Sequence, residues 1–238
     1  MHSTSIQQRT IGVNFPVTGE ASVVLWAPLL NQVAIQVAGK QTLTLNRQDM
    51  GYWQLTTNEL QPHDRYKFVL NGEQAFPDPA SLAQPDGVHG FSEAVDVKDF
   101  AWTDENWPNL PLSDYILYEL HTGTFTPEGT FESLAEKLNY LKKLGVNAIE
   151  IMPVAQFPGS RNWGYDGVFP FAVQHSYGGA RGLQNLVDIC HQKGIAVVLD
   201  VVYNHLGPEG NYLGAYGPYF TDKYNTPKTG PLATTSTG

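Results

Sequence analysis

The chain has 238 residues, 42% hydrophobic and 16% charged, enough apolar material for a packed core and too much for a disordered protein. Its 23 acidic and 14 basic residues give a net charge of −9, which argues against a surface that tracks nucleic-acid phosphates and fits an uncharged ligand. One cysteine, Cys190, excludes an intramolecular disulfide framework. The polar stretch Met1–Arg9 does not read as a signal peptide, and no apolar run nears the ~20 residues of a membrane span, so a cytoplasmic protein without membrane contact is expected.

Residues 1–98 predict an all-β, immunoglobulin-like sandwich. Strands are expected at Gly12–Phe15, Ala21–Ala27, Gln32–Val37, Gln41–Leu45, Tyr52–Thr56, Tyr66–Leu70 and Ala94–Val97, where short segments alternate or stay apolar. Turn residues at Pro28, Gly39, Gly51, Asn71–Gly72 and Pro77–Pro79 separate them, and that spacing suggests two packed antiparallel sheets. Trp26, Tyr52 and Trp53 are expected in packing, because aromatics supply much of the buried area of a small β domain. Residues 99–114, with Trp102, Trp107, Pro108 and Pro111, interrupt any period and read as a linker.

Residues 115–227 change to an α/β pattern. Tyr115–Leu120, Ala148–Val154 and Ile195–Tyr203 are apolar runs suited to buried parallel strands. Between them, Thr130 is a helix cap before Phe131, Leu134, Leu138, Leu141 and Leu144, with Gly145 as the stop. Gly182–Lys193 is a second helix, with Cys190 on its apolar face as a buried, inert thiol and Gly194 at its end. Strand, helix, strand, helix, strand is the βαβ alternation of a parallel sheet. Gly207–Tyr224 reads as a long loop, and residues 228–238 as an unstructured tail.

Polar residues gather at the C-terminal ends of all three strands: His121, then Gln156 and Arg161–Asp166, then Asp200, Asn204 and His205. No strand is followed by a Gly-x-Gly-x-x-Gly turn opening a helix, so a dinucleotide-binding sheet is disfavoured. A (β/α)8 TIM barrel carries its active site on that face, and the chain is read as a partial barrel of the first three strands.

The ordered motifs at these strand ends resemble the α-amylase family of glycoside hydrolases. Asp200-Val-Val-Tyr-Asn204-His205 is similar to the family signature at the end of its third barrel strand. Tyr118-Glu-Leu-His121, Met152-Pro-Val-Ala-Gln156 and Asn162-Trp-Gly-Tyr165-Asp166-Gly167 stand where the family places its first two strands and the following loop. Trp26-Ala-Pro28, Gly51-Tyr-Trp53, Asp78-Pro-Ala-Ser81 and Gly87-Val-His-Gly90 resemble the N-terminal starch-type module of its branching, debranching and trehalose-forming members. Between Val154 and Phe220 the wording looks most like the trehalose-forming ones.

The resemblance implies an α-1,4-glucan as ligand, malto-oligosyltrehalose in the trehalose-forming members, hydrolysed next to its terminal trehalose by two carboxylates. Branching chemistry and a non-catalytic glucan-binding role are the alternatives. The substrate contacts implied are Tyr165, whose face can stack on a sugar, His205, which would donate to a sugar hydroxyl, Trp163 and His121. Asp200 and Asn204 would support the site; a carboxylate in so apolar a strand calls for an Arg or other donors. Asn204 matches a calcium position of many members, yet no metal and no cofactor are expected, because trehalose-forming members commonly do without the ion.

The resemblance implies the nucleophilic Asp and the acid Glu on later strands, and both are expected beyond Gly238. Neither segment is found in these residues; Glu209 and Asp222 stand in loops. No catalytic residue is therefore assigned within the chain. It is expected to be a fragment, inactive alone, that self-associates through open barrel strands. A piece ending at residue 112 is expected to behave better.

Overall fold

A computed structural model of the chain describes residues 9–17, 19–221, 223 and 232–233. They form two compact units. The first holds the described residues up to Ser81, Phe91–Asp96 and those from Tyr212 onward; the second holds Leu82–Gly90 and Val97–Asn211.

In the first unit the strands are β1 (Gly12–Val17), β2 (Glu20–Trp26), β3 (Val33–Val37), β4 (Thr42–Thr44), β5 (Asn46–Arg47), β6 (Tyr52–Thr57), β7 (Arg65–Leu70), β8 (Gln74–Phe76) and β9 (Ser92–Glu93). They build two antiparallel sheets, β1-β2-β6-β5 and β4-β3-β7-β8, with β9 also on β7. Alternation decides which face is buried. Ala21, Val23 and Leu25 of β2, and Tyr66, Phe68 and Leu70 of β7, point into one core with Ile35, Val37 and Trp53.

The expected strand at Ala94–Val97 is displaced. Pairing stops at Ser92–Glu93, opposite Tyr66 and Arg65, and Val97–Asp99 is a 3-10 turn. β5 and β8 lie at sheet edges, and β5 is polar, so period-2 alternation had little to register.

The second unit carries β10 (Leu117–Leu120), α1 (Thr122–Phe125), α2 (Phe131–Lys143), β11 (Ala148–Ile151), β12 (Ala155–Gln156), β13 (Phe169–Val173), α3 (Gly179–Gln192) and β14 (Ala196–Leu199). β10, β11 and β14 pair in parallel and in that order, as the sequence predicts. α2 and α3 cover the sheet with Leu134, Leu138, Leu141, Leu186 and Cys190, packed on Leu120, Ile149 and Ile151. The Thr130 hydroxyl accepts the Ser133 N–H at 3.2 Å, and Ser133 Oγ accepts the Thr130 N–H at 3.3 Å, so both free donors at the start of α2 are met. Burial pushes the Cys190 thiol up to about 12, which leaves it protonated.

β14 is shorter than expected. Its last ladder bond is Asp200 N–H to the Ile151 carbonyl at 2.9 Å, and Val201, Tyr203, Asn204 and His205 are exposed. Among the described residues β14 has β11 as its sheet partner, so the apolar run after Leu199 has no second strand against which to extend. Leu117, Leu199 and Val201 are exposed on the two outer strands and just past them, the surface from which self-association is expected.

The chain then supplies α4 (Leu213–Tyr216) and β15 (Phe220–Thr221), which belong to the first unit, and β15 pairs with β16 (Leu232–Ala233). Sequence reading kept residues through Pro227 with the barrel part. The rest of the expected unstructured tail, 228–231 and 234–238, lies outside the described residues. So does Gly238, the residue beyond which the nucleophile and the acid are expected. No helix among the described residues is long and apolar enough to cross a membrane.

Candidate functional site

The loop after β11 is held from below by His121, at the end of β10. Its Nε2 lies 2.8 Å from the Asn162 carbonyl, which can only accept, so Nε2 carries the proton and Nδ1 takes the Thr124 hydroxyl at 3.2 Å. The Tyr177 oxygen, 3.1 Å from the same nitrogen, can share that proton while its own hydrogen turns to the Asn162 carbonyl at 3.5 Å. His121 is 9% exposed with both nitrogens engaged by protein, and the Trp163 ring stands edge-on to it at 5.1 Å. His121 thus sits beneath the loop, while Trp163, 60% exposed, forms part of its outer surface.

The loop is also self-bracing. The Asn162 side-chain oxygen accepts the Gly164 N–H at 2.8 Å, and its amide donates to the Asp166 carboxylate at 2.8 Å. Gly164 has φ 96° and runs so close to β11's exit that a Cβ there would stand 2.2 Å from the Pro153 carbonyl oxygen. Asn162 escaped the sequence reading as a site residue, although its place two residues before a glycine is a turn signal.

Above this brace three of the expected residues meet. The Tyr165 phenol donates to the Asp200 carboxylate at 3.1 Å, and the Tyr165 carbonyl accepts from His205 Nε2 at 2.8 Å. The Gly207 N–H donates to the Gly167 carbonyl at 3.0 Å, laying the loop after β14 along the loop after β11. Asp200 is not buried within a strand as expected; it is half-buried one residue beyond β14, and its donor is a phenol. Asn204 is exposed, as is His205.

Glu119 and Glu150 stand opposite each other on β10 and β11, and their charge reaches Tyr165. A polar residue in an apolar strand, the signal that picked out Asp200, was available at both and went unused. The bond to Asp200 is the main cause that holds the Tyr165 phenol above its ordinary titration range; partial burial and the neighbouring carboxylates add to it. In Asp200→Asn that phenol should titrate at lower pH, read as the tyrosinate absorbance missing from a Tyr165→Phe control. An unchanged curve would mean the pair does not form in solution.

The surface therefore offers two exposed aromatic rings, Trp163 and Tyr165, beside His205 and Asp200, which suits a ligand with apolar faces and hydroxyl edges. Among the described residues no group of three or more His, Cys, Asp or Glu is placed to hold a metal ion.

The family model of the α-amylase catalytic domain matches residues 74–224. A malto-oligosyltrehalose trehalohydrolase of Saccharolobus solfataricus is 54% identical over 203 residues, covering 85% of this chain and 36% of its own length. One from Deinococcus radiodurans is 48% identical over 203 residues, covering 85% and 33%. A solved Salmonella typhimurium structure described as an alpha amylase superposes with a TM-score of 0.90 at 40% identity, over 95% of this chain and 38% of that one. The chain spans about a third of the length of the curated relatives it matches.

Proposed function

The chain belongs to the α-amylase family of glycoside hydrolases, and on that footing we propose that it contributes the glucose-contacting loops of an enzyme that releases trehalose from malto-oligosyltrehalose. The observation that carries this reading is the Asp200–Tyr165–His205 chain of hydrogen bonds beside the exposed Trp163 ring, at the C-terminal ends of parallel strands. The 54% identity to a trehalohydrolase supports that specificity over branching.

The geometry alters the part assigned to His205. Its Nε2 faces a carbonyl, so the neutral ring presents Nδ1, an acceptor for a sugar hydroxyl. Donation to the sugar requires the ring to be protonated or to leave that carbonyl. Tyr165 keeps its ring available for stacking because its phenol oxygen is held at the edge by Asp200.

Hydrolysis with retention needs a nucleophilic carboxylate and an acid ~5 Å apart. The family resemblance puts both on strands that follow β14, beyond Gly238, so this chain alone binds glucan without cleaving it. A fluorescence titration of the 238-residue chain with maltoheptaose should show binding, weakened about 10-fold in His205→Ala, the usual cost of one directed hydrogen bond. Trehalose release from malto-oligosyltrehalose should stay at the His205→Ala level. Release above that level refutes the non-catalytic part of the reading, and no affinity in the unaltered chain refutes the glucan part.

A further inference from the structure

At Asn211–Tyr212 the chain passes into the first unit, and a run of tyrosines packs on the sandwich. Tyr216 is 0% exposed and joins the sandwich core. Its ring stands edge-on to Phe68 and to Phe76, each at 6.4 Å, and its hydroxyl lies 2.8 Å from the Pro77 carbonyl and 3.2 Å from that of Phe76. These carbonyls lie at the end of edge strand β8, where no further strand among the described residues supplies a donor. Tyr212 lies against Phe76 at 5.0 Å. Tyr219 stands perpendicular to Trp26 at 5.0 Å and donates to its carbonyl at 3.4 Å. Gly217 lets the segment pass close to Pro28, where a Cβ would come within 3.1 Å of the ring.

We propose that the sandwich carries a docking groove for a segment of the form Tyr-x-x-x-Tyr-x-x-Tyr, filled by Tyr212, Tyr216 and Tyr219 as a separable ligand. The sandwich closes its core only when that segment is seated. The Tyr216 ring stands against both Phe68 and Phe76, and the carbonyl of buried Pro77 accepts its hydroxyl. Removing that ring exposes the other two and leaves the carbonyl without its donor, two penalties that add. Two aromatic contacts flank the plug, one on each side, so the spacing of the three tyrosines is itself the recognition element. This runs against the expectation that a piece ending at residue 112 behaves better, because such a piece lacks the plug.

Amide hydrogen exchange on the 238-residue chain tests the proposal, with a synthetic peptide of residues 210–221 as probe. In Tyr216→Ala the amides of β3 and β7 should exchange roughly 100-fold faster, as for any large-to-small change in a core, while those of β11 keep their rates. Adding the peptide should restore slow exchange to that variant; a peptide carrying Tyr216→Ala should not, and the unaltered chain should ignore both. Unchanged exchange in Tyr216→Ala overturns the proposal, as does failure of the peptide to restore it. Should that variant not fold, Tyr216→Phe decides: about 5-fold faster exchange, the worth of one hydrogen bond, supports the groove, and no change overturns it.

Discussion

Gly164→Ala is expected to weaken maltoheptaose binding by the chain about 100-fold. A Cβ at this residue would stand 2.2 Å from the Pro153 carbonyl oxygen, and 2.9 Å from its carbon, so backbone has to move. The φ of 96° adds strain for any L side chain, and steric and torsional terms together cost about 3 kcal/mol or more. The loop can relieve them by leaving Pro153, but then the Asn162 bond to the Gly164 N–H, the Tyr165 bond to Asp200 and the His205 bond to the Tyr165 carbonyl go with it. Glucan affinity should fall about 100-fold, the equivalent of roughly 3 kcal/mol, while the unfolding of the first unit is unchanged. Titration of the variant decides it: affinity within about 3-fold of the unaltered chain would show that the loop geometry does not hold the site.

The second large effect belongs to the sandwich. Asp78 is fully buried, and its carboxylate accepts the Tyr66 hydroxyl at 2.7 Å and the Ala80 N–H at 2.8 Å, with the Arg9 guanidinium nearby on the Ala80 carbonyl. Asp78→Ala strips both donors of their acceptor and leaves Arg9 without its counter-charge. The first unit should lose about 3–5 kcal/mol, as when one partner of a buried ionic network is removed. Denaturant unfolding followed on the buried Trp53 measures it, and a loss under about 1 kcal/mol would mean the network contributes little.

The same carboxylate gives the sandwich a pH dependence. Burial raises the Asp78 pKa, outweighing the hydrogen bonds from Tyr66 and Ala80 and the charge of Arg9, all of which lower it. A raised folded-state value means the folded state holds the proton more tightly. Asp78 therefore contributes stability that is fully present below the ordinary carboxylate range and lost as pH rises through its own raised value. Asp78→Asn, which cannot titrate, should flatten that slope.

Legibility in the sequence followed how local each signal is. β2 and β7 announce themselves by alternation, and α2 by Thr130 followed by leucines at helical spacing, because each pattern is complete within about ten residues. The hairpin of β12 and β13 did not, since its strands are short and pair across an irregular register. The end of β14 was overrun for a related reason: Val201 and Val202 continue the apolar run, but a strand persists only where a neighbour pairs with it.

The sequence by itself determined the order of elements, the parallel sheet and the loops that would carry the site, because burial periodicity is written residue by residue. Only the tertiary structure decided that Tyr165 holds Asp200 across 35 positions and that His205 meets the Tyr165 carbonyl across 40, which makes its free nitrogen an acceptor. It alone decided that Tyr216 fills the sandwich core, 139 positions from the carbonyl it bonds. Such contacts depend on which surfaces meet after folding, and no local pattern of apolar and polar residues encodes that meeting.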